Sequence, residues 1–293
     1  MSIAHYPTLE EFLAAPWSEV AKVAPNTMIY APGGTRRSAV LQGIEPWSDE
    51  YVQWARIHSM QSIDLIFQHG IRYLLTPALT PGNLLEVNQY RDQIFQRVDW
   101  VLAGPESLAD YAERGWRVRL IGDIHLPELQ KTAQKLIDNT PAHADHLLCW
   151  TVVTETETPW QRLLMLIKET GAETVLQAIR TLYGEDIPPA SLYLAFGKPT
   201  IDFGIVPPLL LGDLQCYWTQ QPGYSLDQAQ LRTILYDYAY LRKTWREEKL
   251  ERAKAVRDHQ KLWEAGPVLG LGQRLGPFWY PAATPAVTWA EGD

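Results

Sequence analysis

The sequence predicts an α/β protein in which helices flank a central, mostly parallel sheet. Three observations support this fold class: short apolar segments recur along the chain, segments with helical periodicity separate them, and several apolar segments end in glycine-containing turns. Connections of this length join parallel strands, because short hairpin turns serve only antiparallel ones. With 293 residues, the chain is long enough to bury a sizeable core.

Six apolar segments are predicted to be strands. They are 27–30, 71–78 ("IRYLLTPA"), 116–123 ("WRVRLIGD"), 146–153 ("HLLCWTVV"), 191–197 ("SLYLAFG") and 214–221 ("LQCYWTQQ"). Helices are predicted between them, with Ser48 as the N-cap of the first long one and Gly70 at its end. The others are 85–101, 107–115, 126–140, 159–183 and 225–245, the last with a capping box of Ser225 and Gln228.

The chain divides by composition into a main domain and a tail. Residues 1–250 are predicted to form the single α/β domain, and residues 251–293 a charged helix followed by an arm rich in glycine and proline.

Composition restricts the function. Lys and Arg total 26 against 34 Asp and Glu, so the net charge of −8 argues against a general nucleic-acid binder. Two cysteines give no disulfide framework or zinc spacing, which favours a reducing cytoplasm, and no apolar run reaches the length of a membrane span. The N-terminus has no signal-peptide pattern. Twelve Trp and fourteen Tyr indicate an aromatic core or a cavity with aromatic walls.

Three loops with polar or charged residues each follow a predicted strand: "PGGTRR", "IGD" and "FGKPT". Ligands of parallel sheets bind beyond the carboxyl ends of the strands, so we expect all three loops to face one crevice. The loop at 32–37 is neither a P-loop nor a dinucleotide fingerprint. Arg36 and Arg37 offer forked donors that suit a phosphate.

These segments also carry a family resemblance. In order along the chain, "PGGTRR", "SDEYVQWARIHSMQSIDLIFQHGI", "LIGD", "AFGKPTIDF" and "LRTILYDYAYLR" resemble the cis-prenyltransferase fold, and within it the bacterial diterpene synthases of the tuberculosinol and kolavelool synthase type. The resemblance covers residues 25 to about 245. It implies that the chain ionises a bicyclic diterpenyl diphosphate that is made elsewhere.

The resemblance also implies roles for individual residues. Diphosphate binding falls to the first loop and to two later basic residues: Gly33, Gly34, Thr35, Arg36, Arg37, Lys198 and Arg242. Catalytic roles at the active site fall to Tyr51, Tyr90 and Asp237. Trp54 is expected to pack in the core rather than to contact substrate.

The chain departs from the fold's pattern at Gly33, where an acid commonly helps to bind Mg²⁺. Without that carboxylate the loop lacks a hard-cation ligand, so Mg²⁺ is in doubt as a cofactor and we assign no metal-binding residues. If Mg²⁺ takes part, diphosphate oxygens and water would hold most of its coordination sites. The nearby carboxylates are Asp49, Glu50, Asp202 and Asp237.

The expected reaction converts a kolavenyl- or tuberculosinyl-type diphosphate to a diterpene alcohol, with water capturing the allylic cation. Two alternatives remain: transfer of the diterpenyl group to a larger acceptor such as a nucleoside, and a non-catalytic partner subunit of the same fold. Chain elongation is disfavoured, because no C-terminal Arg/Ser-rich site for a second diphosphate is evident. The resemblance further implies a homodimer.

Overall fold

The computed structural model describes residues 6–46, 48–85, 91–124, 126–197, 201, 205, 208–219, 221–241, 272–275 and 278–281. The chain forms two compact units, Met1–Ala239 and Tyr240–Asp293. The first ends eleven residues before the boundary predicted from composition.

A six-stranded sheet forms the centre of the first unit, and every pairing within it is parallel. The strand order is β3-β4-β2-β1-β5-β6, so β1 lies between β2 and β5. The strands are β1 Thr27–Ala31, β2 Tyr73–Leu79, β3 Arg117–Gly122, β4 Leu147–Val152, β5 Ala190–Phe196 and β6 Leu211–Thr219. All six predicted strands are present, and the α/β fold class is confirmed.

Helices connect the strands, as the crossovers of a parallel sheet require. They are α1 Leu9–Ala14, α2 Trp17–Ala21, α3 Thr35–Leu41, α4 Asp49–Gln68, α5 Pro81–Leu85, α6 Arg91–Ala103, α7 Pro105–Arg114, α8 Pro127–Asn139, α9 Thr158–Thr170, α10 Val175–Tyr183 and α11 Gln228–Tyr236, which continues as a π-helix over Asp237–Leu241.

Two predicted helices differ from those observed. The segment 159–183 is two helices, because Gly171 adopts a left-handed conformation (φ +63°) that ends α9. The N-cap of α11 is Asp227 rather than Ser225, and Asp227 forms the capping box with Gln230. Ser48 caps α4 as predicted, accepting from the backbone N–H of Tyr51.

The central strands are buried on both faces, which explains their uninterrupted apolar sequences. Every residue of β1 and of β4 is buried. On one face, Ile29, Leu75, Cys149 and Tyr193 form a core with Ile179 of α10. On the other face, Trp150 of β4 donates its indole N–H to the hydroxyl of Tyr111 in α7. Helices therefore cover both sides of the strands that carry the candidate site.

The second unit contains an antiparallel hairpin made of β7 Gly272–Leu275 and β8 Phe278–Pro281. The charged segment predicted to be helical lies outside the described residues. In the part of the chain that the structure describes, no helix has both the length and the apolarity to cross a bilayer.

Candidate active site

The loop that follows β1 is shaped by two glycines. Gly34 is left-handed (φ +78°) and leads directly into α3. A Cβ at Gly33 would overlap the carbonyl oxygen of Phe196, at the end of the neighbouring strand β5. The N–H of Gly33 donates to Ala31 at 2.8 Å, so Gly33 allows a close approach of two strand ends and its N–H is already hydrogen bonded.

Arg37 extends from this loop toward the end of β5. A Cβ built on Gly34 would lie 2.5 Å from Nη2 of Arg37, and one built on Gly197 would lie 3.7 Å from the same atom. Gly34 therefore leaves room for the guanidinium group, which also lies near Gly197. The first loop and the end of β5 at Phe196 and Gly197 therefore meet, as expected for the ends of adjacent strands.

Arg36 and Tyr51 both line the neighbouring cavity. The hydroxyl of Tyr51 is 2.8 Å from Oγ1 of Thr35, which connects α4 to the first residue of α3. Three of the residues assigned from the sequence, Thr35, Arg36 and Tyr51, are thus brought to one place.

The cavity has a volume of about 200 Å³, and most of its wall is apolar. Its apolar lining comes from α4, β2, α6 and β4 and comprises Val52, Ala55, Pro77, Ala78, Leu79, Ile94, Val98, Val101, Leu102 and Trp150. Its polar lining comprises Arg36, Tyr51, Ser59, Asn83, Arg97 and Tyr224. Among the described residues that line it, two are arginines and none is acidic. The cavity therefore suits a ligand with an apolar body and an anionic end.

Trp54 is 7 % exposed and packs against two tyrosines that line the cavity. Its ring stacks on Tyr51 with the centroids 6.2 Å apart and meets Tyr224 edge-on at 5.9 Å, while Nε1 donates to Gln42. The prediction that Trp54 packs in the core is correct, and its packing fixes the orientation of two tyrosines that line the cavity.

Tyr224 is a cavity residue that the sequence analysis missed. It lies in the turn between β6 and α11 and adopts a left-handed conformation (φ +68°), which costs a non-glycine residue about 1–2 kcal/mol. The signal available in the sequence was "PGY" after a predicted strand, because turns at that edge of the sheet face the ligand. A tyrosine in such a turn carries no motif of its own.

Of the remaining residues assigned from the sequence, the structure describes Asp237 but not the others. The carboxylate of Asp237 accepts from the hydroxyl of Tyr217 in β6 at 2.6 Å, and Asp237 is not among the described residues that line the cavity. A catalytic role for Asp237 therefore stays a prediction that the cavity geometry does not support. Tyr90, Lys198, Asp202 and Arg242 lie outside the described residues.

The loop "IGD" does not share this crevice, and that prediction is wrong. It follows β3, at the sheet edge, with β4 and β2 between it and β1. Asp123 is completely buried there, and its Oδ2 accepts from the backbone N–H and the hydroxyl of Thr154. Arg162 of α9 donates to the carbonyl of Gly122 and lies 3.9 Å from Oδ1 of Asp123. The order of strands along the chain does not give their order in the sheet, so the sequence did not show that β3 lies two strands away from β1.

The described residues offer no prepared metal site. No group of three or more His, Cys, Asp or Glu side chains among them is arranged to hold an ion. At Gly33 the space for a carboxylate is taken by the Phe196 carbonyl. The residues present at this loop therefore do not fit Mg²⁺ ligation by the protein. Asp49 lines a separate open pocket that also contains Val52 and Arg97, two residues of the candidate cavity wall.

Comparison with known proteins gives two relatives. The chain is 45 % identical over 279 residues to (+)-kolavelool synthase of Herpetosiphon aurantiacus, covering 95 % of this chain and 96 % of that protein. It is 29 % identical over 250 residues to tuberculosinyl adenosine transferase of Mycobacterium tuberculosis, covering 80 % and 83 %. No family model matches the chain.

Solved structures agree on the fold. Lavandulyl diphosphate synthase from Lavandula x intermedia, in complex with dimethylallyl diphosphate, superposes with a TM-score of 0.60 at 16 % identity, over 75 % of this chain and 97 % of that one. A probable undecaprenyl diphosphate synthase from Campylobacter jejuni gives 0.56 at 14 % identity, over 78 % and 99 %.

Proposed function

The chain belongs to the bacterial diterpene synthases of cis-prenyltransferase fold that include (+)-kolavelool synthase, and we propose that it converts a bicyclic diterpenyl diphosphate to a diterpene alcohol with release of diphosphate. The observation that carries the proposal is the cavity that contains Arg36 and Arg97, no acidic residue among its described lining, and walls that are otherwise mainly apolar. That combination matches the two ends of a terpenyl diphosphate.

In the proposed reaction, the diphosphate lies against the loop after β1, within reach of Arg36 and Arg37. Cleavage of the allylic C–O bond leaves the electron pair on the diphosphate, and the guanidinium groups stabilise the negative charge as it develops. The hydrocarbon extends between α4, α6 and β2. The rings of Tyr51 and Tyr224 face the resulting cation, and attraction to an aromatic face stabilises a cation by about 0.5–2 kcal/mol.

Mg²⁺ enters this proposal only through the substrate. If the metal binds, we expect diphosphate oxygens and water to hold it, because the loop provides no carboxylate at Gly33. The protein's own donors neutralise the leaving group in that case as well.

Transfer to a nucleoside is the second candidate, favoured by the 29 % identity to a protein named as an adenosine transferase. The polar residues that line the cavity suit either a water molecule or a larger acceptor as the nucleophile. A non-catalytic subunit is less consistent with the site, because Arg36 and Tyr51 lie together at a cavity.

We also propose that the protein is a cytoplasmic homodimer that binds no nucleic acid. A stripe of apolar side chains on α9 supports an interface: Trp160, Leu164 and Ile167 recur at helical spacing and are 40, 68 and 44 % exposed. Light scattering at micromolar concentration should show a dimer, and a monomer would contradict the claim. The cytoplasmic location rests on the sparse cysteine usage of the sequence.

The function is tested by incubating the purified protein with several C20 diphosphates, with and without Mg²⁺, and measuring diphosphate release and organic products. We expect a diterpene alcohol, with weak or no dependence on Mg²⁺. Parallel reactions that contain adenosine test the second candidate. Failure to release diphosphate from any C20 substrate would favour the non-catalytic alternative.

A further inference from the structure

Tyr224 and Ser59 form a polar pair inside the mainly apolar cavity. Oγ of Ser59 donates to the backbone carbonyl of Arg56 at 2.8 Å, and the phenol of Tyr224 lies close enough to Ser59 to interact with it electrostatically. Both residues line the cavity that also contains Arg36 and Tyr51. Because Ser59 uses its own proton on Arg56, its oxygen can only accept a further hydrogen bond, and the phenol oxygen of Tyr224 also has lone pairs to accept one.

The other polar side chains of the cavity form hydrogen bonds to neighbouring residues or carry a positive charge. Oδ1 of Asn83 accepts from both the backbone N–H and the hydroxyl of Thr80. The hydroxyl of Tyr51 is hydrogen bonded to Thr35 at the diphosphate loop. Arg36 and Arg97 are cations, which suit an anion and not the neighbourhood of a carbocation. Among the described lining residues, Ser59 and Tyr224 offer two neutral hydroxyl oxygens that can each accept a hydrogen bond from a water molecule.

The turn that contains Tyr224 is attached to the diphosphate loop. The N–H of Gly223 donates to the carbonyl of Gly33 at 2.8 Å, and the buried hydroxyl of Ser38 donates to the carbonyl of Gly223 at 2.5 Å. These contacts hold Tyr224 in its left-handed conformation (φ +68°), which a tyrosine rarely adopts. Backbone strain that the surrounding structure maintains is typical of functional residues.

We infer that the Ser59–Tyr224 pair holds the water molecule that captures the allylic cation. This inference rests on the proposed function and identifies the position of the nucleophile within it. The water donates one hydrogen bond to the phenol oxygen of Tyr224 and directs a lone pair at the cationic carbon. As the new C–O bond forms, the water releases a proton to an oxygen of the departed diphosphate, so the products are the alcohol and protonated diphosphate.

The protonation state of Tyr224 is consistent with this role. Burial raises the pKa of its hydroxyl well above the usual value, and the nearby hydroxyls of Tyr30 and Tyr51 raise it further. The phenol therefore stays neutral at physiological pH. It positions the water and is not the base that removes its proton, which leaves the diphosphate as the proton acceptor.

The test compares Tyr224→Phe and Ser59→Ala with the wild type by measuring alcohol formed per diphosphate released. Without the hydroxyl pair, the cation loses an adjacent proton to the diphosphate and gives an olefin, so we expect this ratio to fall several-fold in both variants. Tyr183→Phe is the matched control, because the hydroxyl of Tyr183 donates to Pro208 at a different cavity. Incorporation of ¹⁸O from labelled water into the alcohol identifies the nucleophile.

The outcomes separate the two proposals. If the wild type releases no diphosphate, the proposed function fails and this inference fails with it. If the wild type forms the alcohol and both variants keep the wild-type ratio, the proposed function stands and the inference is overturned. Complete loss of diphosphate release in both folded variants also overturns it, because the pair would then act on ionisation and not on capture.

Discussion

The ends of β1 and β3 are built from similar parts but differ in what their arginines contact. In each region a glycine approaches the carbonyl of the adjacent strand so closely that no side chain fits: Gly33 against Phe196, and Gly122 against Val152. Each region also has an arginine from a following helix. At β3 the residue after this glycine is Asp123, whose buried carboxylate lies 3.9 Å from Arg162, whereas at β1 the residue after Gly33 is Gly34.

The comparison shows why the end of β3 has a structural role, whereas the end of β1 suits a ligand. Asp123 places a negative charge 3.9 Å from Arg162, and the cavity that both residues line has a volume of only about 20 Å³. The β1 loop instead borders a cavity of about 200 Å³ that has arginines in its wall and, among the described lining residues, no acid. Arginines in a cavity wall that has no acid among its described lining residues suit an external anion.

The largest effect that the comparison predicts is on turnover at β1. Arg36→Ala and Arg37→Ala should each reduce turnover at saturating substrate by roughly a hundredfold or more, because losing one preorganised donor to developing charge costs about 3–4 kcal/mol. Steady-state rates of diphosphate release measure this. Arg180→Ala, at an exposed pair with Asp186, is the control and should keep wild-type turnover. Near-normal rates in either loop variant would make the loop structural.

At β3 the effect should fall on stability instead. Asp123→Ala removes the carboxylate near Arg162 and leaves the N–H of Thr154 without its acceptor, and an unsatisfied buried donor costs about 1–3 kcal/mol. Denaturant unfolding measures the loss, with Asp186→Ala as an exposed control that should change little. If Asp123→Ala keeps wild-type stability and loses turnover, the β3 end belongs to the active site and the contrast is wrong.

Gly33→Ala tests whether the β1 loop has space for a side chain. The new methyl group would overlap the Phe196 carbonyl, and relieving such overpacking costs about 1–3 kcal/mol. We expect lower stability, and the same for Gly33→Asp, without a gain in Mg²⁺ affinity. Gly82→Ala is the control, since its Cβ would meet only Oγ1 of Thr80 at 3.8 Å. Tight Mg²⁺-dependent turnover in Gly33→Asp would show that the loop accepts a metal ligand.

The smallest expected effect concerns the pKa of His69, which contacts a buried structural arginine, Arg232. Arg232 is buried and donates to the carbonyls of Leu13 and Ala15 and to Nε2 of His69. Burial, with a smaller contribution from Arg232, lowers the pKa of His69 below its usual 6.5. The unfolded chain therefore binds the proton more readily, so stability should decrease as the pH falls through 6.5.

Denaturant unfolding at several pH values measures this decrease, and His69→Gln should show less of it. A decrease of the same size in His69→Gln would assign the effect to other groups.

The sequence by itself determined the fold class and predicted an anion-binding loop. Apolar strands alternating with helices require a parallel sheet, and "PGGTRR" at a strand end predicts arginines at the ligand edge. The family resemblance added Tyr51, which the structure places beside Arg36. These features are local: they depend on the order of residues in one strand, its turn and the next helix.

Only the tertiary structure decided which strand ends are neighbours and what lines the cavity. β1 pairs with β5 and not with β3, so Gly197 at the end of β5 lies near the loop and "IGD" does not. Tyr224 reaches the cavity because its turn is hydrogen bonded to Gly33 and Ser38, nearly 190 residues earlier in the chain. Strand order and long-range contacts depend on how helices pack across the whole sheet, and no local pattern in the sequence encodes that packing.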